Sequence, residues 1–173
     1  MSDLLPLFPL PNVVLFPNVF LPLHIFEPRY REMVADAITG DRMIGMVLLR
    51  PGWEHDYEGR PPVFPIGCSG LITHVEQLAD GRYNIVLRGF ERFRILAEDQ
   101  AFTYRRAAIE RLTERPIDGN DRAAVGRQRA KLETMLATSH EPRRADPRIP
   151  SAMGDEDLVN ALAQYLDLEP LEK

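Results

Sequence analysis

Six prolines fall within the first 28 residues: Pro6, Pro9, Pro11, Pro17, Pro22 and Pro28. Each removes a backbone N–H and pushes the residue before it out of the α region. Residues 4 to 25 are therefore predicted to be short extended pieces, placed where a strand tolerates proline, at edges and ends. The pattern changes at Pro28. Tyr30, Met33, Val34, Ala37 and Ile38 follow the i, i+3, i+4, i+7, i+8 spacing of one amphipathic helix. Pro28 suits its first position and Gly40 the residue just past its end.

Strand signals follow. "MIGMVLL", 43 to 49, is a buried strand run, and "PGWEHDYEGRPP", 51 to 62, is a Pro/Gly-bounded loop. "VFPIGCSGLITHVEQL", 63 to 78, is predicted to be one long strand bent at Gly67 and Gly70. Asp80-Gly81 turns the chain into a return strand from Arg82 to about Leu96, and 104 to 112 is a last strand. Long glycine-kinked strands favour a small closed barrel over a sandwich. After "ERPIDGND" the pattern is helical. Residues 121 to 138 place Val125, Leu132, Met135 and Leu136 on one side, 140 to 154 is a Pro-rich linker, and 155 to 168 is a helix with Asp155 as N-cap. The expected organisation is a barrel domain over 1–115 and a helical part over 116–173.

The sequence also excludes classes. A single cysteine, Cys68, permits no internal disulfide and fits a reducing compartment. The net charge of −5 argues against bulk polyanion binding. "MSDLLPLFPLPNVVLFP" lacks a basic export region, and no run of 18 apolar residues exists, so a cytoplasmic protein off the membrane is expected.

The blocks "LPLFPLPNVVLFPNVFLPLHIFEPRYREMV", "GMVLL" and "IGCSGLITHVEQLADGRYNIVLRGFERFRI" occur in that order. Together they resemble the N-terminal, substrate-binding domain of Lon ATP-dependent proteases, over residues 4 to about 112 and more loosely beyond. The resemblance implies a mainly β fold: a PUA-like β-barrel with one inserted helix, followed by a C-terminal helical part. It also implies a role in holding protein substrates, unfolded or degron-bearing. In full-length Lon this domain precedes an ATPase module and a Ser-Lys protease module. Here no GxxxxGK[ST] loop exists to cradle phosphates, and the two lysines, Lys131 and Lys173, lie near no serine in a protease motif. The expectation is a non-catalytic binding module, without cofactor or metal, that is either a stand-alone domain or a piece of a longer protein. The chain ends at "LDLEPLEK" with a helical pattern still under way. Whether it forms a homo-oligomer is left open.

Five groups of residues invite chemistry. His24, Glu27 and Arg29 have acid/base character, but helix-terminus geometry accounts for most of them: Glu27 suits the dipole, and Phe26 suits a hydrophobic staple. Cys68 has no sequence-local base, so a packed thiol is expected. Glu54, His55, Asp56 and Glu58 offer hard donors at a spacing that matches no metal motif. On the return strand, period 2 puts Tyr83, Ile85, Leu87, Phe93 and Ile95 on one face and Arg88, Phe90, Arg92 and Arg94 on the other. Arg88, Arg92 and Arg94 support an alternative reading as an RNA or anion binder. Glu91, Glu98, Asp99 and the net charge oppose it, so nucleic acid is disfavoured. The last group is apolar surface for polypeptide. The predicted protein-binding surface comprises Phe20, His24, Phe26, Arg29, Trp53, Arg88, Phe90 and Arg92.

Overall fold

A computed structural model of the protein describes residues 4–113, 118–138 and 153–173. Six strands lead: β1 (Leu5–Leu10), β2 (Phe20–Ile25), β3 (Met43–Leu49), β4 (Val63–Gln77), β5 (Tyr83–Asp99) and β6 (Arg105–Arg111). Helix α1 (Pro28–Thr39) lies between β2 and β3; α2 (Gly119–Thr138) and α3 (Asp155–Tyr165) follow β6. The proline-interrupted start yields two short strands, as proline geometry requires. Pro22, within β2, faces Val86 across the only strand that β2 pairs with among the described residues.

The sheet runs β2-β5-β4-β3-β1-β6, and β6 returns to β5 to close a barrel. Closure is achieved by dividing one edge of β5. Its first part, Tyr83 to Arg88, pairs with β2; its last part, Phe93 to Asp99, pairs with β6. The one parallel pairing joins β1 to β3. Irregularities at Cys68/Gly70 and Ile72/His74 bend β4, close to the glycines that the sequence marks.

Two apolar clusters fill the interior. The larger gathers Phe8, Ile44, Ile72, Ile85 and Leu87 with the buried face of α1, Tyr30, Met33, Val34 and Ala37. Phe8 and Tyr30 meet edge to face, with ring centroids 4.6 Å apart. Each fully buried side chain of this size contributes about 1.5–3 kcal/mol. The smaller cluster packs Leu5, Leu7, Val47 and Ala107 around Phe93.

Several local expectations need correction. Phe26 is 58% exposed, so it staples nothing; its ring lies beside His24 instead. Glu27 occupies the N-cap position without a side-chain cap bond, because its carboxylate is engaged elsewhere. Gly40 does lie just past the end of α1, as expected, but at φ −104°, and the left-handed residue nearby is Arg42, at φ 64°. β5 continues past Leu96 to Asp99, since β6 supplies a partner there. Met135 is exposed, which removes it from a buried stripe on α2. Asp155 is the first helical residue of α3 rather than its cap, and its Oδ1 accepts a hydrogen bond from Arg129 at 2.8 Å. The helix stops at Tyr165, and residues 166 to 173 are not helical. The proposed linker at 140 to 154 lies almost wholly outside the described residues.

The chain divides into two compact units, Met1–Thr113 with Asn160–Lys173, and Glu114–Val159. Among the described residues no helix is long and apolar enough to cross a membrane.

Candidate functional site

Burial along β5 alternates from Tyr83 to Leu96 and loses its period at the irregularity between Ile95 and Ala97. Tyr83, Ile85, Leu87 and Phe93 face inward; Arg88, Phe90, Arg92 and Arg94 face outward. Pairing with β2 and β4 extends this outer face across three strands. Phe20, Arg88 and Leu71 form one cross-strand row, Pro22, Val86 and His74 the next, and His24, Asn84 and Glu76 a third. The middle of the face is a shallow groove of about 320 Å³ that includes Pro22, His24, His74 and Val86. Its far end is apolar: Phe20 is 51% and Phe90 59% exposed, with Leu71 beside them.

The polar end is ordered. Asn84 Nδ2 donates to Glu76 Oε2 at 2.7 Å, which turns its Oδ1 toward His24 Nδ1 at 2.8 Å. The His24 ring stacks near Phe26 at 6.2 Å. Arg88 donates to Asn18 Oδ1 at 3.2 Å, and Arg94 lies 3.6 Å from Glu110. The arginine stripe is thus distributed among nearby acceptors.

The structure brings Phe20, His24, Phe26, Arg88 and Phe90 onto this face or its margin. Arg92 lies further along β5, opposite Cys68. Arg29 and Trp53 belong to another cluster. Arg29 Nε donates to Glu27 Oε2 at 3.1 Å, and its two Nη atoms donate to the carbonyls of Tyr57 and Gly59 at 3.0 and 3.3 Å. Tyr57 donates its hydroxyl to Glu27 Oε1. Burial, and then that bond, raises the Tyr57 pKa. Trp53 packs edge-on against Tyr57 at 5.4 Å. Glu27 and Arg29 therefore latch the 53–61 loop to the start of α1. Leu71 escaped the sequence reading because its exposure depends on a register irregularity.

A match to the family described as the ATP-dependent protease La (LON) substrate-binding domain spans residues 4–173. The chain belongs to this family. Relatives with which it aligns include the Lon protease of Anaeromyxobacter dehalogenans, 25% identical over 98% of this chain and 20% of that protein. The Lon protease of Flavobacterium johnsoniae is 29% identical over 98% of this chain and 21% of its own. The chain thus spans about a fifth of the length of these curated relatives. Among solved structures, the N-terminal domain of Mycobacterium avium complex Lon protease superposes with a TM-score of 0.60 at 17% identity, covering 78% of this chain and 68% of that one. The Lon N-terminal domain protein from Xanthomonas campestris gives 0.57 at 25% identity, with coverage of 78% and 74%. The fold is the PUA-like barrel with helices of Lon N-terminal domains.

The remaining chemical candidates take structural places. Cys68 is buried, with Sγ 3.4 Å from the Ser69 carbonyl oxygen. Burial pushes its thiol up to about 12. Few thiolates then exist at pH 8, so a thiol reagent is expected to attack the native protein at least about a hundredfold more slowly than the unfolded chain. Equal rates in the two states would contradict this. Among the described residues no three His, Cys, Asp or Glu side chains converge as metal ligands. Within the 53–58 loop, Glu54, His55, Asp56 and Glu58 are exposed.

Proposed function

We propose that the chain is a non-catalytic module that holds extended, unfolded or degron-bearing segments of other proteins on the outer face of β2, β5 and β4. The observation that carries this reading is the exposed apolar end of that face, Phe20, Phe90 and Leu71, continuous with a shallow groove. Apolar surface kept out of a core marks an interaction site, and a shallow groove accepts side chains without demanding one sequence. Membership in the Lon substrate-binding family supports protein as the partner class. The binding element is the barrel, residues 1–115, and the protein is expected to hydrolyse neither peptide nor ATP.

The test compares reduced, unfolded casein-like protein with native globular protein in a binding titration. Unfolded protein is expected to bind, and the double variant Phe20→Ser/Phe90→Ser to lose about thirtyfold in affinity, the effect of removing a central aromatic anchor. Equal binding of folded and unfolded protein, or unchanged affinity in a folded double variant, would defeat the proposal. Binding of RNA through Arg88, Arg92 and Arg94 is disfavoured by the acceptors that already face Arg88 and Arg94.

A further inference from the structure

A cleft of about 210 Å³ lies under the 57–61 loop, bounded by the start of α1 and the approach to β6. Its walls include Arg29, Tyr30, Tyr57, Arg60, Phe102 and Arg105. Three guanidinium groups at one small cleft are costly to assemble unless acceptors meet them. Arg29 is satisfied by Glu27 and by the loop carbonyls. Arg60 donates to the backbone carbonyls of Asp99 and Phe102 at 3.1 and 2.8 Å, so hydrogen bonds hold it in place without neutralising it.

Arg105 is the unusual member. Its side chain is 10% exposed, and Nε lies 3.2 Å from Glu98 Oε2. Yet among the described residues neither Nε nor Nη1 has an aligned hydrogen-bond acceptor. A buried guanidinium whose one carboxylate partner is poorly aligned with it carries a costly charge, and a second oxyanion beside it would lower that cost. Burial pulls the Arg105 pKa down, Glu98 opposes this, and Arg60 and Arg29 add to it.

The charge count selects the ligand. Glu27 and Glu98 offset Arg29 and Arg105, which leaves Arg60 in excess. Glu58 stands on the exposed rim and disfavours a second negative charge. A monoanion fits better than a phosphate dianion. Carboxylates also match the planar fork of arginine. The rings of Tyr57 and Phe102 line the cleft and add apolar contact for a body beside that carboxylate.

We propose that this cleft binds a single carboxylate borne on a flat, apolar group, with Arg105 and Arg60 holding the carboxylate and the aromatic walls holding the body. Such a group is found on a free aromatic acid and at the end of a polypeptide that terminates in an aromatic residue. The site shares no residue with the outer β2–β5 face, so its failure leaves the reading of that face intact.

Trp53, the single tryptophan, packs on Tyr57 at the cleft wall and reports occupancy. N-acetyl-phenylalanine is titrated into the full chain and Trp53 emission is followed, with N-acetyl-phenylalaninamide, sodium phosphate and ionic-strength-matched sodium chloride as parallel arms. A saturable change is expected with the acid alone. Arg60→Gln and Arg105→Lys are each expected to weaken it about tenfold or more, the loss of a charge-assisted contact. Thermal unfolding accompanies both variants; if Arg105→Lys does not fold, Arg60→Gln decides. A peptide ending in free phenylalanine that binds tighter than the acid places the ligand at a chain end, and equal affinity places it on a free acid. Both outcomes sustain the carboxylate site. No saturable change, equal binding of the amide, stronger binding of phosphate, or an unaffected Arg60→Gln variant would each overturn it.

Discussion

Phe93→Ala is expected to destabilise the barrel by about 3–5 kcal/mol, near the upper end for loss of a buried aromatic ring. Phe93 is fully buried at the centre of the smaller cluster. A Cβ added at Gly45 or Gly67 would approach its Cζ to 2.8 or 2.7 Å. The ring therefore occupies space that two glycines leave open, and no neighbouring side chain at those positions can relax into the void. Since a domain of this size has about 5–15 kcal/mol in total, the variant is expected to lose much of its stability. Urea unfolding measures this as a lower midpoint at unchanged slope. A loss below about 1.5 kcal/mol, the range of volume-conserving swaps, would contradict the packing account.

The second large effect is expected at Gly89. A Cβ there would run into the Phe16 carbonyl oxygen, which is backbone and cannot swing aside. Gly89 also donates to Val19 at 2.8 Å and accepts from Asn18 at 2.9 Å, so the 16–19 turn is tied closely to β5. Gly89→Ala is expected to cost at least about 1–3 kcal/mol, the range for forced overpacking. It should also displace Phe20 and reduce capture of unfolded protein. Gly126→Ala is the natural contrast: nothing lies within 4 Å of an added Cβ in α2, and the change should stabilise by about 0.4–1 kcal/mol. Equal stability effects at the two positions would refute the close-approach argument.

Much of this architecture is legible in residue types because the signals are local. Prolines exclude an early helix, Pro28 and Gly40 bracket α1, and alternation along β5 separates its two faces. What escapes is register and assembly. Strict counting from Gln77↔Tyr83 would set Ile72 opposite Arg88, but the irregularity between Ile72 and His74 puts Leu71 there. That shift keeps Ile72 in the core and leaves Leu71 on the exposed face. Arg29 and Trp53 read as surface candidates because their residue types suit binding. Arg29 is held by the carbonyls of Tyr57 and Gly59, some thirty residues away and beyond any local pattern, while Trp53 packs on Tyr57 within its own loop. Arg60 and Arg105 carry no sequence signal at all. They meet only because the barrel brings the 57–61 loop to the start of β6.

The pairing of β1 with β6 has a consequence for synthesis. Leu7 finds its place beside Arg105, so one edge of the first strand made has no partner until the last strand leaves the ribosome. At about 5–20 residues per second, that interval is roughly 5–20 s. Such distant pairings also slow closure of the finished chain. During the wait the N-terminus exposes Leu5, Leu7 and Phe8, all of them destined for the interior. Pro6 and Pro9 have opposite parity along the strand, so one of them leaves that unpaired edge short of an N–H group and blunts it against other nascent chains. The six prolines that rule out an early helix thus include one that protects the newborn strand.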